Sequence, residues 1–351
     1  MVLDDILREA VDRSASDTHI MAFRKPIFRI DGVLVESERF EEIDPQKFQD
    51  TMFANLSDVQ EQFLRTEREL GYVHHLETGH RFRVNLFWER GHLAFAARLV
   101  PVIIPTMDEI DLPPIVRSFT KLDQGLILIT GQTGHGKSTT LAAMVNAINK
   151  ERSLNIITFE DPIEFVMQPV KSIIRQRELG SDITSMKDSL KYVVRHDPDV
   201  IVVGEMRDPE TIGTTITLAE TGHLVFSTLH TFDAPQTIHR ILDSFPSEQQ
   251  TQIRLQLAMT LRGIISQRLV KRAAGGRIAA RELLINTPAV SNLIRENKIE
   301  QIATQLQTGN THGMTTMDQC LRSLYEKAEI TKEEALAHML SPKDLERGKS
   351  Q

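Results

Sequence analysis

Apolar positions along this chain recur with two different periods, and the change from one to the other divides it. Val2, Leu3, Ile6, Leu7 and Ala10 fall on one face of a first helix, which Ser14-Ala15-Ser16-Asp17 brings to an end. Thr18 to Ala22 and Pro26 to Leu34 then read as strands, with Asp31-Gly32 as a hairpin turn signal. A mixed helical segment from about Pro45 to Glu67 precedes two longer strands, Arg81 to Trp88 and Leu93 to Leu99, joined through Glu89-Arg90-Gly91-His92. Elements in this order, without parallel βαβ alternation, predict a small α+β domain over residues 1–100. Pro101, Pro105, Pro113 and Pro114 follow closely. Proline disfavours both helix interiors and central strands, so residues 101–113 are expected to form a linker.

From residue 114 the pattern is different. Gly125-Leu126-Ile127-Leu128-Ile129-Thr130 is an apolar run of strand length, and Thr139 to Ile148 reads as a helix with apolar residues three and four apart. Leu154 to Phe159 is a strand that runs into Glu160-Asp161-Pro162, Val200 to Gly204 runs into Glu205-Met206-Arg207-Asp208, and His223 to Ser227 runs into Thr228-Leu229-His230-Thr231. Continuous apolar strands with ionisable residues at their carboxyl ends mark an open parallel α/β sheet, whose ligands bind along that edge. Residues 114–351 therefore read as an α/β, RecA-like domain with its core at 125–270. Amphipathic helices are expected from about Arg281 to Asp344, with Thr308-Gly309-Asn310-Thr311-His312-Gly313 as a loop among them.

The chemistry centres on Gly131-Gln132-Thr133-Gly134-His135-Gly136-Lys137-Ser138, which fits GxxxxGK[ST] at every fixed position and lies between a strand and a helix. Such a loop aims backbone N–H groups and a helix N-terminus at a polyphosphate, and its glycines let the backbone come close enough to wrap it. Gly131, Thr133, Gly134, His135, Gly136, Lys137, Ser138 and Thr139 are the expected nucleotide-binding residues. Lys137 would reach the β and γ phosphates, and Ser138 would ligate Mg²⁺.

Composition narrows the setting. With 351 residues the chain is too long for one ordinary core, and 40% apolar with 25% charged residues is the balance of a globular protein. No apolar run approaches the roughly 20 residues that cross a bilayer, and Met1 to Glu9 is too acidic for a signal peptide, so a cytoplasmic protein without a transmembrane segment is expected. A net charge of −7 weighs against a nucleic-acid partner. The one cysteine, Cys320, shares a helical face with Met317, Leu321 and Leu324, which makes it a core position.

Hydrolysis of a γ-phosphate needs an oriented water, a carboxylate, Mg²⁺ and positive charge on the transition state. Glu205 and Glu160, each closing a strand beside the loop, are the candidate acids. His223 and His230 flank one strand; as strand neighbours at an odd spacing they would face opposite ways, and His230 is the one at the carboxyl end. Arg81, Arg83 and Arg98 on the first domain's strands, and Arg207 after Glu205, are candidate arginines.

These segments together resemble a known family. Gly131 to Ser138, TFEDPIEF at 158–165, VVGEMRD at 202–208 and ETGHLVFSTLHT at 220–231 are similar to the Walker A, Asp, Walker B and His boxes of the type II/IV secretion ATPases. The likeness is greatest to those that retract type IV pili, and it covers nearly the whole chain, including SDTHI near Ser16, RFRVN at Arg81, IRENKI near Arg295 and GMTTMDQ at Gly313. The resemblance implies a homohexameric ring with a PAS-like N-terminal domain and a RecA-like domain. ATP would bind between the two domains, whose rotations would work on the pilus machinery and its platform protein at the inner membrane. By motif, Glu205 becomes the general base and Glu160 a Mg²⁺-binding or water-positioning acid. Ser138, Glu160 and Glu205 would surround the metal. His223 and His230 become the His-box pair, and Arg83 and Arg98 would serve the nucleotide across a domain or subunit boundary. The family's usual serine is His135 here, at a variable loop position. The retraction signature AIRNLI is Ala289-Val290-Ser291-Asn292-Leu293-Ile294, without its arginine. The four-cysteine zinc site typical of the assembly ATPases is missing. An accessory pilus ATPase, a type IV secretion ATPase and a nucleic-acid translocase are the alternative readings.

Overall fold

A computed structural model describes residues 3–30, 32–100, 103–342 and 345. The chain divides into two units, Met1–Ile103 and Ile104–Gln351. In the first, α1 (Leu3–Asp12) buries Leu3, Ile6, Leu7 and Ala10, the face its spacing foretells; Val2 lies outside the described residues. β1 (Asp17–Ile20), β2 (Ile27–Ile30) and β3 (Val33–Glu36) follow, and Asp31 of the expected turn is likewise outside the description. The helical stretch after Pro45 is two helices, α2 (Pro45–Ala54) and α3 (Asp58–Glu67). Ser57 separates them: its side chain accepts from the Gln60 N–H while the Gln60 side chain accepts from the Ser57 N–H, a reciprocal cap that starts α3 anew. β4 (Glu69–His75), β5 (Arg81–Glu89) and β6 (His92–Val100) complete an antiparallel six-stranded sheet ordered β3-β2-β1-β6-β5-β4. Phe28, Phe82, Phe95 and Leu86 from the sheet meet Ile6 and Phe48 from the helices in one core.

In the second unit, α4 (Val116–Phe119) leads into β7 (Gly125–Thr130), α5 (Lys137–Glu151), β8 (Asn155–Glu160), β9 (Ile173–Glu178), α6 (Met186–Tyr192), β10 (Val200–Val203), α7 (Pro209–Glu220), β11 (Leu224–Leu229), α8 (Ala234–Asp243), α9 (Ser247–Thr260), β12 (Leu261–Lys271) and β13 (Arg277–Ile285). α10 (Pro288–Arg295), α11 (Ile302–Thr308), α12 (Met317–Glu326) and α13 (Lys332–His338) follow. The seven-stranded sheet runs β13-β12-β7-β11-β10-β8-β9, parallel except for β13. Alternate residues of β7 and β10 point to opposite faces. Leu126, Leu128, Ile201 and Val203 pack with α7, α8 and α9, whereas Ile127, Ile129, Val200 and Val202 pack with α5. Fully burying each such side chain is worth about 1.5–3 kcal/mol, so two-sided burial holds the sheet between its helices.

Two expectations need correction. The run from Arg281 is not helical at its start: residues 277–285 form β13, paired in register with β12 from Gly263↔Ile285 to Lys271↔Arg277, so the sheet extends beyond residue 270. Helices take over at Pro288; Asp344 at the expected end is outside the described residues. The proline-bearing stretch also divides. Pro101 and Val102 lie outside the description, but Met107 and Leu112 are buried in the second unit, where Arg281 donates to the carbonyls of Ile110 (2.7 Å) and Asp111 (2.9 Å). Cys320 sits on α12 against the small core that also holds Met317 and Leu321.

Candidate nucleotide site

The strand register brings the predicted residues to one edge. Thr130 pairs with Leu229, Ser227 with Val203 and Val203 with Phe159, so the residues that leave β7, β11, β10 and β8 emerge together at the carboxyl end of the sheet. The loop from Gly131 to Gly136 departs there. Gly131, Gly134 and Gly136 all have positive φ, and a Cβ at Gly131 would run into the Gln267 carbonyl, so only glycine lets the loop lie against β12.

The start of α5 is left open. Asp208, Asp233 and Thr287 cap α7, α8 and α10 with side-chain oxygens, whereas α5 begins at Gly136 in the left-handed region with no side-chain cap. Its first N–H groups are left for an external anion, and the positive end of the helix dipole adds to their pull.

Lys137 begins that helix and folds back over the loop. Its Nζ donates to the carbonyls of Gly131 (2.7 Å) and Gln132 (3.1 Å) and stands 3.5 Å from His230 Nδ1. Burial lowers its pKa, while the carboxylates of Glu205 and Glu164 act to raise it, which places both acids within electrostatic reach of the ammonium. His230 lies between: Nδ1 is also 3.5 Å from the Thr133 hydroxyl, and Nε2 is 3.1 Å from Glu205 Oε1. The second Glu205 oxygen accepts from Arg207 Nε at 2.8 Å, and Arg207 Nη1 donates to Asp161 at 2.8 Å. The carboxylate is thus held on both oxygens, about one quarter exposed, beside a cavity of about 500 Å³ that Arg207, His239 and Arg240 also line. That is space for water next to a fixed carboxylate.

Residues 107–334 match the family described as type II/IV secretion system protein. The type IV pilus retraction ATPase PilT of Pseudomonas aeruginosa is 39% identical over 335 residues, which is 95% of this chain and 97% of that protein. The chain belongs to the type II/IV secretion system protein family. A twitching motility protein of Neisseria gonorrhoeae is 43% identical over 94% of this chain and 88% of its own length. A crystal structure of the pilus retraction motor PilT with bound ADP superimposes with a TM-score of 0.92 at 45% identity, covering 99% of both chains. Like other members of the secretion-system family, the chain is an α/β protein with a small domain built on an antiparallel sheet and a RecA-like ATPase domain.

Not every residue expected for the site of a secretion-family ATPase is gathered there. His223 precedes β11, and its Nδ1 lies 2.9 Å from the Leu218 carbonyl at the amino end of the strand, the length of the strand away from His230. Within this chain it does not meet the loop. Glu160 closes β8, yet its carboxyl accepts from Thr158 Oγ1 (2.6 Å) and Gln176 Nε2 (3.0 Å), and burial pushes its pKa up. Asp161 beside it is the residue that reaches Glu205, through Arg207. Arg83 and Arg98 are cross-strand partners on β5 and β6 of the first unit, where Arg98 donates to Asp17 at 2.8 Å.

One residue escaped the motif reading. Gln267 on β12 is 3% exposed; its Nε2 donates to the His135 carbonyl (2.6 Å) and its Oε1 accepts from the Thr140 hydroxyl (2.8 Å). It ties the loop to the first turn of α5. Nothing local in the sequence marks it, because the bond spans 132 residues.

Proposed function

We propose that this chain is an ATP-hydrolysing motor that works as a homohexamer to retract type IV pili, and so to drive twitching motility, at the cytoplasmic face of the inner membrane. The observation that carries the reading is the unbroken path from Lys137 through His230 to Glu205 at the carboxyl edge of the sheet, next to an uncapped helix start. The names borne by relatives of nearly the same length supply the pilus. No helix among the described residues is long and apolar enough to cross a membrane, so a motor of this kind would act on the platform protein from outside the bilayer.

In this reading the loop N–H groups and Lys137 hold the triphosphate, and Glu205 orients and deprotonates the attacking water, with His230 close to the γ-phosphate. The residues fit Mg²⁺ of the usual nucleotide-bound kind, which takes one or two protein oxygens and otherwise phosphate and water. Ser138 at the head of α5 would offer its hydroxyl, Glu205 would hold the ion's waters, and the ion would neutralise charge that builds on the phosphates. Glu160, already hydrogen-bonded on its own strand, would act on the metal or its waters only after changing partners. Arg83 and Arg98 would add positive charge to the nucleotide from the first domain or from a neighbouring subunit.

Glu205→Gln and Lys137→Ala are the direct test. Glu205→Gln should bind nucleotide and lose turnover by a factor of about 10² or more, while Lys137→Ala should lose both. A Glu205→Gln protein that hydrolyses ATP at the parent rate would remove the assignment. In the host, deletion of the gene should give hyperpiliated cells that do not twitch; normal twitching would point to an accessory or secretion role.

A further inference from the structure

The geometry points to Arg207, braced by Asp161, as the positioning residue that sets where the Glu205 carboxylate stands. The inference rests on the assignment of Glu205 above. It concerns a different part of the molecule from the phosphate loop: the junction between the ends of β8 and β10, two neighbouring strands whose exits are bridged by one guanidinium.

Three features carry it. First, β10 ends at Val203, and Gly204 follows so close to β8 that a Cβ there would stand 3.1 Å from the Phe159 carbonyl and 3.3 Å from Glu160 Cα. The backbone just before Glu205 is therefore fixed against β8, and Gly204 N–H donates to the Phe159 carbonyl at 2.8 Å. Secondly, the Glu205 side chain departs from that fixed point with three rotatable bonds, so its carboxylate needs a separate restraint. Arg207 provides it in cis through Nε, two residues on, at a charge-assisted distance of 2.8 Å. Thirdly, Arg207 is itself 59% exposed and would be a loose partner alone, but its Nη1 is anchored by Asp161 at the same 2.8 Å. A planar guanidinium can serve two carboxylates at once from separate nitrogens, which an ammonium does less well.

Arginine in such a setting is otherwise read as a charge aimed at the transferring phosphate. Here Nε and Nη1 both donate to carboxylates and tie the guanidinium to Glu205, so Arg207 works through it. Two consequences distinguish the roles. Loss of Arg207 should lower kcat with little change in KM, because a misplaced base affects the chemical step and not the binding of nucleotide. Loss of Asp161, whose carboxylate is bonded to Arg207, should mimic the loss of Arg207.

The experiment uses the whole chain and five variants, Arg207→Gln, Asp161→Asn, the double Asp161→Asn/Arg207→Gln, and Glu205→Gln alone and combined with Arg207→Gln, with steady-state ATPase rates and fluorescent ADP binding for each. Arg207→Gln and Asp161→Asn should each reduce kcat by about 10- to 100-fold with KM changed less than about threefold. The double variant should be no slower than the worse single one, and Arg207→Gln should cost nothing further once Glu205 is Gln. The inference is overturned if Asp161→Asn keeps the parent kcat, if Arg207→Gln acts mainly on KM, or if its effect persists undiminished in the Glu205→Gln background. Should Arg207→Gln not fold, Asp161→Asn breaks the same brace from its other end and decides alone. Full activity of Glu205→Gln would instead unseat the base assignment itself, a result separate from failure of the brace.

Discussion

Replacing Gln267 tests whether the phosphate loop is held by the sheet or merely lies near it. Gln267→Ala removes two hydrogen bonds, each worth about 0.5–1.5 kcal/mol net. It also leaves the Thr140 hydroxyl, 1% exposed, without its acceptor, a desolvation cost of about 1–3 kcal/mol. The expected loss is about 3 kcal/mol of stability in the second unit, equivalent to a fall of about 6–12 °C in Tm for a domain of that size. Gln267→Met separates packing from bonding, because it fills nearly the same space without either hydrogen bond. Thermal unfolding followed by circular dichroism gives the stability term, and titration with a fluorescent ADP gives the effect on the loop, which should bind at least several-fold more weakly in both variants. If Gln267→Met unfolds within about 0.5 kcal/mol of the parent and binds ADP equally well, the brace from β12 contributes nothing and the loop is self-supporting.

Other outcomes follow from the same geometry. Glu282 on β13 is 6% exposed and accepts from the Ala234 N–H at the start of α8; burial pushes its pKa up to about 7. The folded chain therefore keeps a proton that the unfolded chain releases near pH 4.3, so stability falls by about 3 kcal/mol as pH rises from about 4.5 to 7. Denaturant midpoints measured across that window should drop for the parent and stay flatter for Glu282→Gln. Gly263→Ala should destabilise by about 1–3 kcal/mol in chemical denaturation, because a Cβ there would collide with the Phe119 ring and come 3.0 Å from the Leu284 carbonyl. Lys137→Ala should abolish nucleotide binding, seen as loss of the ligand-induced Tm shift, without lowering stability in the absence of nucleotide by more than about 2 kcal/mol.

What the sequence discloses here is what is local. The glycine spacing of the phosphate loop, the strand before it and the helix after it are all set by neighbours within a few residues, and the structure returns them as read. The acid after Val200-Ile201-Val202-Val203-Gly204 was legible for the same reason. β9 was not: Ile173-Ile174-Arg175-Gln176-Arg177-Glu178 is an edge strand with little apolar alternation, and only its pairing with β8 makes it a strand. β13 is richer in helix formers, among them Ala279, Ala280, Glu282, Leu283 and Leu284, and pairing with β12 overrides that preference. The two histidines of the His-box segment show a limit of another kind. Motif resemblance places both beside nucleotide, but a six-residue strand separates them, and strand direction alone decides that His230 faces Lys137 while His223 serves the opposite end.

His230 carries one more implication. Its Nδ1 looks toward an ammonium and a hydroxyl, both able to give a hydrogen, and its Nε2 looks toward a carboxylate, which can only receive one. A neutral ring satisfies all of them in a single tautomer, with the hydrogen on Nε2. In that tautomer Nε2 has no lone pair to offer, so the ring takes no proton from Glu205; were Glu205 the base proposed above, a proton it took from water would pass to phosphate or solvent.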